Sequence, residues 1–266
     1  MTQQLASIAA QAGTPCYVYD VDFIRGRFAT LDRLFGRHFG VSFAVKSNPN
    51  TELLRRILPH VVTFDVSAYK EVERALDAGC PSDRITFSGP AKRVAEIEGA
   101  VRARIGELVL ESLSEARTAS AAAVALGVTQ NVLIRINPAR SPRHFGVNMA
   151  GKASQFGIDE EEIDAAIDVV KALPNLNLIG FHIYSGTNSL NPEAIAENFG
   201  IFIELFRHAS AHAGISPEKL IFGSGFGVPY TEADKPRDVE ALAAPVRPMI
   251  DELKADPRFA HAACVL

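Results

Sequence analysis

Apolar residues in this chain fall into short β-rich runs separated by amphipathic stretches. The runs cover 41–45, 61–65, 85–88, 108–110, 131–137, 178–184, 220–222 and 262–266, eight in all. Between them, across 51–58, 68–78, 93–104, 114–126, 159–173, 194–213 and 238–255, apolar positions recur at three-and-four spacing, which predicts helices. Strands alternating with crossover helices predict a parallel sheet, either doubly wound and open or closed as a (β/α)8 TIM barrel. Eight strands in about 250 residues suit the barrel, and the one glycine cluster follows the seventh run, where barrels often bind phosphate. A dinucleotide-binding sheet would instead place its glycine-rich turn after the first strand, and here that strand runs into Lys46-Ser-Asn-Pro. The barrel is therefore the expected fold. A further run, Cys16-Tyr-Val-Tyr-Asp20, precedes a helix-like 21–35 and has no place among the eight. Residues 1–35 are thus expected to be a lead-in strand and helix, and 36–266 the barrel, stopping inside its eighth strand.

Composition narrows the class. The 266 residues are 47% apolar with a net charge of −4 and no Lys/Arg-rich run, so they can fill a large core and are not suited to neutralising nucleic-acid phosphates. No apolar stretch approaches the roughly 20 residues of a bilayer span, so no membrane association is expected. The N-terminus lacks the basic segment of an export signal. Cys16, Cys80 and Cys264 are widely spaced with no CxxC, which fits neither a disulfide framework nor a metal site. A cytoplasmic location is expected.

Candidate chemistry gathers at the predicted C-terminal strand ends, where barrels build their sites. Lys46, in Phe43-Ala-Val-Lys46-Ser-Asn-Pro-Asn50, is placed either as a Schiff-base amine made nucleophilic by apolar burial or as a lysine snorkelling to solvent. Gly223-Ser224-Gly225 opens a run that either wraps a phosphate or makes a tight turn. His182 and Tyr184, two apart on the sixth strand, project to one face, followed in the loop by Thr187. They read as ring-stacking and phosphate-binding groups, or as a satisfied core histidine and a turn. Arg135 in an apolar strand needs a partner, for which Asp65 is the expected counterpart. A structural salt bridge between strands is the other reading of that pair.

Taken together, these motifs resemble the barrel of the fold-type III pyridoxal-phosphate decarboxylases, the diaminopimelate, ornithine and arginine decarboxylase relatives. The resemblance runs from Pro15-Cys-Tyr-Val-Tyr-Asp20 through Asp65-Val-Ser-Ala-Tyr-Lys-Glu71, Phe87-Ser-Gly-Pro-Ala-Lys92 and Ser154-Gln-Phe-Gly-Ile158 to Gly223-Ser-Gly-Phe-Gly-Val-Pro-Tyr230. It implies that Lys46 holds pyridoxal 5'-phosphate as a Schiff base, that Gly225 and Thr187 contact its phosphate, and that Asp65, Arg135, Gly223 and Ser224 surround it. The reaction implied is decarboxylation of an amino acid, with the cofactor ring taking up the electrons left by carbon dioxide.

Two positions depart from the family pattern. The histidine that packs on the cofactor ring is usually the second of an HxH pair, a place held here by Tyr184, while His182 matches the first. Gln155 stands where the diaminopimelate branch usually has lysine, and with Phe181-His-Ile-Tyr-Ser-Gly-Thr187 and Gly227-Val-Pro-Tyr230 it makes the chain resemble the secondary-metabolism and polysaccharide-cluster members, some of which decarboxylate an amino acid carried on a protein or pathway intermediate. The family's C-terminal β-domain and its Glu-Pro-Gly-Arg-like motif would begin after Leu266 and are absent from this chain. The parent is therefore expected to be a homodimer, and turnover by these 266 residues alone is expected to be poor. A cofactor-binding barrel without catalysis, an amino-acid racemase and a sugar-phosphate enzyme on a plain barrel are the competing readings.

Overall fold

The computed structural model describes residues 2–142, 147–148, 154–234 and 238–266. Eight parallel strands form the barrel: β1 (Ser42–Ala44), β2 (Thr63–Val66), β3 (Ile85–Phe87), β4 (Glu107–Leu110), β5 (Gln130–Asn137), β6 (Leu176–Tyr184), β7 (Lys219–Gly223) and β8 (Ala263–Val265). They pair in that order. The seam between β8 and β1 closes through backbone bonds from Gly40 N to Cys264 O (2.9 Å), Leu266 N to Gly40 O (2.9 Å) and Ser42 N to Leu266 O (2.8 Å). The expected barrel is thus the observed one, and all eight strand runs lie where the apolar pattern puts them.

Helices α3 (Thr51–Ile57), α4 (Tyr69–Asp77), α5 (Val94–Arg102), α6 (Leu113–Leu126), α7 (Ile163–Ala172), α8 (Pro192–Ala213) and α9 (Val239–Ala255) follow β1 to β7 in turn. Local chemistry starts several of them. Asn50, Ser112, Asn191 and Asp238 each accept a backbone N–H in the first turn of the helix that follows. The eighth place in the ring is taken by α2 (Val21–Phe35), which precedes β1. It packs between α3 and α9, buries Leu34 and Phe35, and accepts the Arg247 side chain at the Leu34 carbonyl (2.6 Å).

The lead-in differs from expectation. Its first element is a helix, α1 (Thr2–Ala12), and Cys16 to Asp20 form no strand. That run has the side-chain character of a strand, but it pairs with no strand among the described residues, and Tyr17 is 90% exposed.

Most of the core lies between the strands and the helix ring. Phe222 of β7 is its aromatic centre, within 5.1 to 6.2 Å of Phe39, Phe199, Phe202 and Phe206 by ring centroid. Inside the barrel the apolar layer is thin: Val109, Leu133 and Ile179, with Ile221 against them. Toward the N-terminal strand ends, polar groups pair with one another. Ser42 meets Thr63 (2.9 Å), Thr86 donates to Glu107 (2.7 Å), and Lys219 pairs with Glu107. No helix among the described residues is long and apolar enough to cross a membrane.

Candidate active site

At the C-terminal rim, β1 ends in a single 3-10 turn, Val45–Ser47, that lifts Lys46 out of the sheet. Its side chain is exposed rather than sunk in an apolar mouth, so the burial expected for it is not found. The Lys46 Nζ stands 5.8 Å from the centroid of the Tyr184 ring. Period-two alternation on β6 puts His182 and Tyr184 on one face, His182 buried and Tyr184 half-buried above it.

Tyr184 explains one glycine. A Cβ at Gly223 would lie 2.3 Å from Tyr184 Cδ2, so the ring occupies the space a side chain there would need. Gly225 adopts a φ of +62°, and its carbonyl accepts from Ser189 N (2.9 Å), while Gly227 N donates to Ser189 O (2.9 Å). The loops after β6 and β7 are thereby knitted together, with Thr187 and Ser224 half-buried beside them. Three buried polar atoms in this region have no partner among the described residues: His182 Nδ1, Asn188 Oδ1 and Ser189 Oγ. Such orphans are uncommon in native interiors and are ordinarily met by water, an ion or a ligand. His182 Nδ1 has no protein partner among the described residues.

Arg135 does not pair with Asp65. Its Nη1 donates to both oxygens of Glu111 (3.0 Å each) and its Nη2 to the Tyr184 carbonyl (3.1 Å). The guanidinium carbon lies 4.9 Å from the Phe156 ring and 5.8 Å from that of Tyr184. The strand order gives the reason: β4 and β5 pair with Val109 opposite Leu133, so Glu111 and Arg135 emerge side by side, whereas Asp65 leaves β2 farther round the barrel. Behind Glu111 lies a second buried pair, Lys92 with Glu115 (2.8 Å), whose carboxylate also accepts Glu111 N (2.9 Å).

Electrostatics at the rim follow from these neighbours. Burial, reinforced by the charges of Arg135, Lys92 and Lys46, holds the His182 imidazole well below its usual pKa, so it is neutral. Burial pushes the Asp65 carboxyl up to about 6, against a Ser88 hydrogen bond and the charges of Lys46 and Arg135. Folded Asp65 keeps its proton up to about pH 6, while the unfolded chain releases it near the ordinary 3.8. Stability therefore falls as pH rises between those values and stays lower above them. Asp65→Asn is expected to stabilise the chain by about 2 to 3 kcal/mol at pH 7 and by nothing near pH 3. Urea midpoints at the two pH values check this, and equal gains at both would refute it.

Glu111, Glu115 and the burial of Lys92 escaped the sequence reading. Glu111 directly follows the apolar run 108–110, the same strand-end signal that singles out Lys46.

Residues 21–261 match the family model described as "Pyridoxal-dependent decarboxylase, pyridoxal binding domain". Among characterised relatives, the chain is 32% identical over 256 residues to the L-glutamyl-[BtrI acyl-carrier protein] decarboxylase of Niallia circulans, covering 96% of this chain and 60% of that protein. It is 35% identical over 252 residues to the diaminopimelate decarboxylase of Zymomonas mobilis, covering 91% of this chain and 59% of that protein. The chain thus spans about 60% of the length of these relatives. In three dimensions it is similar to the diaminopimelate decarboxylase of Helicobacter pylori complexed with L-lysine, at a TM-score of 0.82 and 27% identity, over 100% of this chain and 65% of that one. The family model, the relatives and the rim on which Lys46, Tyr184 and the glycine run meet lead to one conclusion: this chain belongs to the pyridoxal-dependent decarboxylase family, through its pyridoxal binding domain.

Proposed function

We propose that these residues are the pyridoxal-phosphate-holding barrel of a carboxy-lyase acting on an amino acid or an amino-acid-derived intermediate. The observation that carries this reading is the meeting of the Lys46 amine, the Tyr184 ring and unpartnered buried polar atoms beside the glycine run. These residues fit the cofactor. An amine stands at the edge of an aromatic platform, and the backbone of Gly223, Ser224 and Gly225, with the hydroxyls of Thr187 and Ser189, offers the donors a phosphate needs.

When bound, pyridoxal phosphate supplies an electron sink for the bond to a departing carboxylate. Lys46 holds the group through Nζ. Tyr184 gives its flat face in the position the family fills with histidine. His182 adds no charge beneath it, being buried and neutral. Arg135 is held and neutralised by Glu111, which leaves Asp65 as a carboxyl able to exchange a proton within the working range. The carrier-linked glutamyl group in the name of the Niallia circulans protein supports a carrier-borne amino acid as one form of substrate. The resemblance further supports a homodimeric, cytoplasmic parent built on the 36–266 barrel, with 1–35 as its lead-in.

The test is covalent capture. After incubation with pyridoxal phosphate and borohydride reduction, the wild-type chain is expected to carry the reduced adduct on the peptide containing Lys46. Lys46→Ala is expected to lose both the adduct and the visible absorption band. A wild-type chain without the adduct, or one labelled only at other lysines, overturns the proposal.

A further inference from the structure

Glu111 is the most heavily used side chain at the rim, although nothing about its residue type requires that. Besides both bonds from Arg135 Nη1, its Oε1 accepts Gly89 N (2.6 Å) and its Oε2 accepts Gly157 N (3.1 Å). One buried carboxylate thereby ties the loop after β3 and the segment before Ile158 to the guanidinium that grips the Tyr184 carbonyl. Four hydrogen bonds from three donor nitrogens, with a full countercharge, compensate the carboxylate for its removal from water. The barrel's other interior pair, Lys219 with Glu107, sits at the opposite end of the strands and reaches no rim residue, so ion pairing alone does not account for this placement.

We propose that Glu111 is a positioning residue: by fixing and neutralising Arg135, it sets the place of Tyr184, the platform that Lys46 faces. The proposal rests on the pyridoxal phosphate reading above. A guanidinium holding the Tyr184 backbone at 3.1 Å and lying over its ring cannot move without moving the platform. Among the described residues Glu111 bonds to neither Lys46 nor Tyr184, so its influence on the Tyr184 platform passes through Arg135, while its bonds to Gly89 N and Gly157 N hold the neighbouring loops.

The test compares the wild-type chain with Glu111→Gln, Arg135→Gln, the double variant and Glu115→Gln. Pyridoxal phosphate is titrated while the lysine-dependent visible band is recorded, with Tm measured in parallel. Glu111→Gln is expected to weaken cofactor Kd by about tenfold or more and to shift the band maximum, the size expected for coupled neighbours. The double variant is expected to shift the band maximum no further than Arg135→Gln alone, since Glu111 reaches Tyr184 only through Arg135. Glu115→Gln also breaks a buried ion pair at this rim but leaves Arg135 in place, so it should lower Tm while keeping the band maximum. If Glu111→Gln does not fold, Glu111→Asp replaces it, keeping the charge while shortening the reach, with the same direction expected.

A lowered Tm with an unchanged Kd and band in the Glu111 variant overturns the proposal, as does a band shift in the double variant larger than that of Arg135→Gln. A wild-type chain without a Lys46-dependent band overturns the cofactor reading and this proposal with it. A normal wild-type band that the Glu111 variant reproduces overturns this proposal alone.

Discussion

Gly180→Ala is expected to leave the barrel unfolded or without fixed packing at room temperature. Gly180 lies in β6 opposite Lys219 of β7, and a Cβ there would stand 1.8 Å from the Lys219 carbonyl oxygen and 2.9 Å from its carbon. The obstacle is backbone, so no side chain can rotate away. Relief requires β6 and β7 to separate along a register that runs from Lys219 opposite Gly180 to Gly223 opposite Tyr184. Overpacking that a side chain can absorb costs about 1–3 kcal/mol, and a collision between central strands exceeds that range. About 4 kcal/mol or more, set against a total stability of roughly 5–15 kcal/mol, removes most of the folded population. Near-ultraviolet circular dichroism and a urea titration read the result, and a wild-type midpoint would refute it. His182 and Tyr184 lie two and four residues along the same strand, so any variant that folds should also lose the cofactor band.

Phe222→Ala is expected to cost about 3–5 kcal/mol, near the upper end for a core aromatic, because the site cannot collapse. Its ring is fully buried, stacked on Phe199 at 5.3 Å and met edge-on by Phe39 at 5.2 Å and Phe206 at 5.1 Å. Those neighbours belong to the segment before β1 and to α8, elements pinned elsewhere, so the cavity would persist. Phe222→Leu fills much of it and should cost less than half as much. Urea midpoints of the two variants check the ratio, and equal losses would mean that the ring contacts contribute nothing beyond volume.

Strand positions were legible because a parallel barrel strand is buried on both faces and reads as an apolar run bounded by turns. The Cys16 to Asp20 run shows the limit of that signal. Its residues suit a strand, yet strand formation needs a neighbour that composition cannot supply. At the rim, the sequence placed Lys46, Asp65 and Arg135 at strand ends but left the role of each open. The partner of Arg135 was not legible, since choosing between Asp65 and Glu111 requires knowing which strands adjoin and in what register. Side-chain packing was equally hidden: the clearance at Gly223 belongs to the Tyr184 ring, a contact between residues 39 positions apart in the chain.

The closure at the barrel seam bears on the order in which the molecule is made. Among the eight described barrel strands, every other pair joins successive strands, but Gly40 and Ser42 bond to residues 264 and 266. As the chain emerges from a ribosome, β1 remains an edge strand with one neighbour while seven strands assemble behind it. Lys46 follows that edge directly. The site therefore matures only once residues 263–266 have been made, although its lysine is among the first site residues to be translated. Long-range closures of this kind are slow because loop entropy must be lost before contact is gained. Until residues 263–266 arrive, the strand leading to Lys46 is also the one whose open edge invites pairing with another chain.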